Sequence, residues 1–278
     1  VVSVFNGQPF VQTAAMAFQF IQIGGLFQTE LGMGNRLTLP DEEILKNVHA
    51  IQEANDIEKV SALEGREFSI EMETGTGKTY VYLRSIFELN KTYGFKKFII
   101  VVPSVAIREG VLKNIEITAE HFRALYGNVE FEHFVYDAKR IPQLRQFAVS
   151  NTIQILVINI DAFRKNFTGT DAERKSNVIY KETDRLQGRQ PIEFIQATNP
   201  IVLIDEPQSV DSGLEGRGKE ALEAMNPLCT LRYSATHVDK HHMVYRLAAI
   251  DAYDRQLVKQ IEVASAEVDG GQNKAYVR

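Results

Sequence analysis

The residues best placed to do chemistry are Met72-Glu73-Thr74-Gly75-Thr76-Gly77-Lys78-Thr79. Phe68–Met72 reads as a strand, and the apolar spacing from Lys78 to Asn90 reads as a helix. Strand, glycine loop and helix in that order aim backbone N–H groups and a positive helix end at one point, which favours an anion. The pattern predicts a cradle for nucleotide phosphates, lined by Thr74, Gly75, Thr76 and Gly77. Lys78 would reach the β- and γ-phosphates of ATP, and the Thr79 hydroxyl would ligate Mg²⁺. One position departs from the general pattern: Met72 stands where a first glycine is expected, so Gly75 and Gly77 must supply the turn. A chance glycine loop is the plainer alternative; the Gly-Lys-Thr triplet in its strand–helix setting argues against it.

A second candidate group is Asp205-Glu206, inside Pro200-Ile201-Val202-Leu203-Ile204-Asp205-Glu206-Pro207-Gln208. Four consecutive aliphatic residues read as a strand buried on both faces. The acids sit at its carboxyl end, where open α/β sheets bind ligands. Asp205 would hold the Mg²⁺ shell, and Glu206 would orient or deprotonate the attacking water. Alone, such a pair reads equally well as solvated acids at a strand end. A third element is Cys229-Thr230-Leu231-Arg232-Tyr233-Ser234-Ala235-Thr236-His237, a strand followed by small hydroxyl residues. Ser234 and Thr236 would hydrogen-bond the acidic motif through Gln208 and report the state of the γ-phosphate.

These groups need a scaffold. The 278 residues can bury one large α/β core, and the apolar and charged fractions, 44% and 24%, are ordinary for a globular protein. A single cysteine, Cys229, excludes an intrachain disulfide framework and suits a reducing cytoplasm. The net charge of −5 argues against a generic nucleic-acid coat, not against a local grip on DNA. The stretch from Val11 to Phe27 is broken by Gln12, Gln19 and Gln22 and is too polar to span a membrane; it reads as a helix packed on the core. No targeting signal is visible, and the start at Val1 reads as that of a fragment. Six histidines and one cysteine lack ligand spacing for zinc.

From Phe68 onward strands and helices alternate. Strands are predicted at Phe68–Met72, Lys97–Val102, Glu130–Tyr136, Ile153–Ile158, Ile201–Ile204 and Cys229–Tyr233. Helices are predicted at Lys78–Asn90, Ala106–Ala119, Pro142–Ser150 and Lys219–Ala224. Such alternation implies a mostly parallel sheet with right-handed crossovers, and strands that are apolar on both faces. Three stretches are expected: a helical lead-in over 1–66, a nucleotide-binding domain over 67–238, and a linker with the start of a second domain over 239–278. Residues 164 to 199 read as a long excursion: a solvated loop, since acids nearly balance its basic residues, with a basic surface that touches DNA backbone as the alternative.

The three motifs resemble motifs I, II and III of superfamily 2 helicases and translocases. Met72–Tyr82, Phe98–Gly110, Asp205-Glu206-Pro207-Gln208 and Ser234-Ala235-Thr236-His237 are most similar to the restriction (Res) subunit of type III restriction–modification enzymes. The resemblance runs from about Phe68 to Val263. It implies a RecA-like P-loop NTPase domain that uses ATP and Mg²⁺ to move on or switch along double-stranded DNA, a methyltransferase (Mod) partner, and a separate nuclease domain. It implies an adenine-reading glutamine upstream of Val1. It also implies backbone contacts to DNA from Pro103, Ser104 and Arg108 at the end of one strand and from Asn159 at the end of another. A proline turn with a helix cap is the competing reading of Ser104. Two other readings stand beside this one: another superfamily 2 enzyme, such as a type I restriction motor or a repair helicase, and a non-catalytic nucleotide-dependent switch.

Overall fold

The computed structural model describes residues 1–10, 31–163, 178–212, 218–237 and 239–259. Its strands are β1 (Glu67–Met72), β2 (Lys97–Val102), β3 (Phe131–Val135), β4 (Ile153–Asn159), β5 (Ile201–Asp205), β6 (Cys229–Ser234) and β7 (His242–Leu247). Its helices include α1 (Asp41–Ala54), α2 (Lys78–Tyr93), α3 (Val105–Leu125), α4 (Pro142–Val149), α5 (Pro191–Ala197), α6 (Pro207–Asp211), α7 (Gly218–Glu223) and α8 (Ala249–Asp254). All seven strands form one sheet in the order β3-β4-β2-β5-β6-β1-β7, and every pairing is parallel. The fold is therefore the parallel α/β sheet that the alternation implies, of the RecA-like class that the resemblance implies. No described helix is long and apolar enough to cross a membrane.

Side-chain alternation explains the layers. Phe98, Ile100 and Val102 of β2 enter one core, with Ile153, Ile155 and Val157 of β4 and Ile201 and Leu203 of β5. Ile99 and Val101, with Leu156, Ile158, Val202 and Ile204, enter a second core on the opposite face. The first core carries α2 and α3, joined by stacked rings: Phe87 lies 4.7 Å from Phe122 and 5.4 Å from Tyr126. Gly94 ends α2 at φ 77°, a left-handed cap that glycine adopts without strain.

The second core stops at β5. Across β6 and β1 the first face stays apolar, with Leu231, Tyr233, Phe68 and Ile70. The second face there carries Thr230, Arg232 and Ser234 on β6, and Glu67, Ser69 and Glu71 on β1. The expectation of strands apolar on both faces is thus corrected for these two. This polar strip begins where the candidate site lies.

Two further expectations change. The excursion over 164–199 is not a loop throughout: Ile192, Phe194 and Ile195 of α5 are buried in the second core. The basic residues Arg164, Lys165, Arg174 and Lys175 lie outside the described residues, as does the helix expected near Val11–Phe27. A seventh strand, β7, lies in the stretch expected to link to a second domain, and it pairs with β1. Its polar start and mixed exposure hid it from a search for apolar runs.

Buried amides bind the lead-in to this sheet. Asn35 accepts from the N–H groups of Lys96 and Lys97 (2.9 and 3.2 Å) and donates to the carbonyls of Lys97 and Asn199 (2.7 and 3.2 Å). Gln52 of α1 donates to the Met243 carbonyl of β7 at 3.0 Å. Within the lead-in itself, Gln8 accepts from the N–H groups of Thr38 and Leu39. Removing such a partner leaves buried backbone groups unpaired, so Asn35→Ala is expected to cost about 2–4 kcal/mol. Urea unfolding of the variant checks this; a loss below about 0.5 kcal/mol contradicts it.

Candidate functional site

Three parallel strand ends build the site. The register pairs Glu71 of β1 with Ser234 of β6, and Tyr233 of β6 with Asp205 of β5. The loop after β1, the Ser-Ala-Thr turn after β6 and the acids after β5 therefore emerge side by side at the carboxyl edge.

The loop has the shape that the sequence requires. Gly75 and Gly77 sit at φ 82° and 92°, where an L side chain is strained. A Cβ at either would meet nothing within 4 Å, so open space lies above the loop. Glu73 steadies its entry: its side chain accepts from Thr74 N at 2.8 Å, and its carbonyl accepts from the Thr76 hydroxyl at 2.6 Å. Gly77 caps α2 with no side-chain hydrogen bond, which leaves the first N–H groups of the helix free to face an anion. Lys78 follows on the first turn. This donor set, an ammonium beside an uncapped helix start with open space above it, fits a polyphosphate. Thr79 and Asp205 carry hard oxygen atoms of the kind that Mg²⁺ takes.

Lys78 and the acidic pair converge. Lys78 Nζ donates to Glu206 Oε1 at 3.0 Å, and Gln208 Nε2 donates to Glu206 Oε2 at 2.6 Å. The buried Ser234 hydroxyl lies 3.0 Å from Gln208 Oε1 and 3.3 Å from Glu206 Oε2. It also lies 2.8 Å from the Thr236 carbonyl and accepts from Thr236 N at 3.2 Å. A hydroxyl has one proton to donate, so Ser234 must choose among three acceptors. Thr236 thus differs from expectation: among the described residues it joins the network through its main chain, and the residue is exposed.

Glu206 adopts a left-handed conformation, φ 54° and ψ 63°, between β5 and α6. For a residue with a side chain this costs of order 1–3 kcal/mol and requires surrounding contacts to hold it. They are the N–H of Glu206 on the Tyr233 carbonyl at 3.1 Å and the two hydrogen bonds to its carboxylate.

The two acids are poised oppositely. Burial, and then the Glu206 charge, push Asp205 up to about 6, partly offset by Lys78. Burial works against Glu206 too, but hydrogen bonds from Lys78 and Gln208 outweigh it and hold that carboxyl below its ordinary value. Asp205 is thus the more readily protonated acid, and Glu206 stays ionised beside the lysine. On the far side of the sheet the Cys229 thiol is fully buried and pushed up to about 12, an unreactive position.

The other expected residues lie further along the same edge. Val102 pairs with Asn159, so Pro103, Ser104 and Asn159 emerge together at the ends of β2 and β4. Ser104 caps α3, accepting from Ile107 N at 3.3 Å. Arg108 pairs with Glu109 at 2.8 Å. Asn159 Oδ1 accepts from Asp161 N at 2.8 Å. Ser104, Arg108 and Asn159 thus each have a local structural partner.

Sequence reading missed the ion pairs on the polar strip. Arg232 Nη1 donates to Glu67 Oε2 at 2.6 Å, and Nη2 donates to Asp211 Oδ2. Arg246 of β7 pairs with Glu71 at 3.1 Å. The polar alternation Thr230, Arg232, Ser234 was the available signal.

A parallel sheet with a glycine phosphate loop after one strand and an acidic pair at the end of another defines a RecA-like P-loop domain. The sequence profile described as type III restriction enzyme, res subunit, matches residues 38–239, and the chain belongs to that family. The Res subunits of the type III restriction-modification enzymes EcoPI of Escherichia phage P1 and EcoP15I of Escherichia coli are 33% and 32% identical to it, each over 81% of the chain. That of StyLTI from Salmonella typhimurium is 30% identical over 76% of the chain. The matched region is 24% of each relative's length.

Without magnesium, the folded state favours a protonated Asp205. That stabilisation is complete below the ordinary carboxyl pKa and is lost as pH rises through about 6. Asp205→Asn is therefore expected to stabilise the metal-free protein at pH 8 by about 2–3 kcal/mol, with the gain shrinking toward pH 4. Urea unfolding in EDTA at both pH values checks this; equal gains at both contradict it.

Proposed function

We propose that this chain is the ATP-binding motor region of a type III restriction subunit, acting in the full-length protein on double-stranded DNA together with a Mod methyltransferase subunit. The convergence of Lys78 on Glu206 carries the reading, because it joins the helix that follows the phosphate loop to the acidic pair. Lys78 would leave Glu206 for the phosphates and neutralise the charge that builds on the transferred phosphoryl group. Freed of Lys78, Glu206 would orient the attacking water and accept its proton. Gln208 and Ser234 would relay that change into α6 and β6. Thr79 and Asp205 would hold Mg²⁺, which when bound neutralises phosphate charge and aligns the leaving oxygens.

An open groove of about 560 Å³ beside the first turn of α2, lined by Met72, Tyr80, Val81, Val2 and Tyr245, would take the base side of the nucleotide. Pro103, Ser104, Arg108 and Asn159 would touch the DNA backbone, with the α3 N-terminus facing a phosphate. The chain after β7 would lead into a second motor domain; 260–278 lie outside the described residues. An arginine from such a domain is worth about 10³–10⁵ in rate in related phosphoryl transfers.

The isolated chain is accordingly expected to bind Mg·ATP weakly and to turn it over negligibly, with or without duplex DNA. Calorimetry and a phosphate-release assay test this. Lys78→Ala should abolish binding, whereas Glu206→Gln in the full-length protein should retain it and lose turnover by about 10²-fold or more. Unchanged affinity in Lys78→Ala removes Lys78 from its role, and a full-length protein that binds ATP without hydrolysing it supports the switch reading.

A further inference from the structure

Arg232 is 1% exposed, on a strand face that packing alone would fill with aliphatic side chains. Its two carboxylate partners lie on different elements: Glu67 opens β1, and Asp211 ends α6. An ion pair at this depth is a poor device for stability. Apolar residues of similar volume often stabilise a fold as well or better.

The position of α6 suggests what the pair does. This helix is five residues long, starts from the left-handed Glu206, and lacks a side-chain cap. So short a helix does not hold its own geometry. Pro207 and Val210 are buried beneath it, but apolar contact is non-directional and does not set where Gln208 points. Direction comes from β6. Ser234 meets Gln208 at the start of the helix, and Arg232 meets Asp211 at its end. The two grips are residues i and i+2 of one strand, so both face the same side. Tyr233 between them faces the other core, where its hydroxyl lies 3.0 Å from Ser85 Oγ.

We propose that Arg232 is a positioning residue for ATP hydrolysis. Through Asp211 it fixes the pitch of α6, and so the aim of Gln208 and of the Glu206 carboxylate. The inference rests on the ATPase reading above. The Glu67 arm ties the guanidinium to β1 and does not reach α6.

The test uses the full-length protein with its partner subunit and duplex DNA, and measures kcat and KM for ATP. Arg232→Met combined with Asp211→Leu removes the pair at similar volume and strands no charge on α6. It is expected to lower kcat about tenfold, with KM within about twofold and an unchanged melting temperature. Glu67→Gln is expected to leave kcat near the unmodified value. If the paired variant does not fold, Arg232→Gln with Asp211→Asn carries the same expectation at about threefold. Normal turnover per folded molecule, or a kcat loss that only tracks a lower melting temperature, overturns the proposal. So does a loss in Glu67→Gln as large as in the paired variant. If the unmodified full-length protein neither binds nor hydrolyses Mg·ATP, the ATPase reading itself falls, and this inference with it.

Discussion

Parallel pairing of β5, β6 and β1 is the constraint on which the molecule depends. In a parallel sheet all carboxyl ends lie on one edge, and every loop that follows them opens the same way. The register sets Ser234 level with Glu71, and Asp205 one residue back, level with Tyr233. A phosphate loop, a pair of acids and a hydroxyl turn, far apart in the chain, then need only short side chains to meet. The Lys78–Glu206 contact is the result. Shifting any of the three strands by one residue would flip its side chains to the wrong face.

The cost of that arrangement is visible beside it. β2, β4 and β5 feed apolar side chains into both cores, whereas β6 and β1 turn polar on one face just where the site begins. Buried charge there must be matched: Arg232 by Glu67 and Asp211, Glu71 by Arg246, Glu206 by Lys78. The left-handed Glu206 adds backbone strain at the same place. The stable half of the sheet supports a half whose groups are arranged for charge rather than for packing.

Most of the site could be read from the chain because its residues are contiguous. The glycine loop, Asp205-Glu206 and Ser234 announce themselves within a few positions of one another and of an apolar strand. What escaped was set by partners distant in sequence. β7 is defined by its pairing with β1, and its own mixture of His242, Tyr245 and Arg246 shows no clear period. Asn35 reads as an ordinary loop residue until the Lys97 and Asn199 carbonyls close on it. α5 lay hidden in a stretch dominated by charged neighbours. Thr236 shares the small hydroxyl run with Ser234, yet it lies past the strand end and is exposed.

The placement of β7 bears on where this unit can be divided. The family match ends at residue 239, three residues short of that strand. A piece trimmed there would keep every motif yet strip one side of β1, whose backbone donors and acceptors would become an open edge. Unprotected edges invite pairing with another chain. The shortest stretch that contains the signature is thus a self-adhesive one. The strand just past its limit, bonded to the loop through Glu73 N and the Leu247 carbonyl at 3.0 Å, serves as the seal.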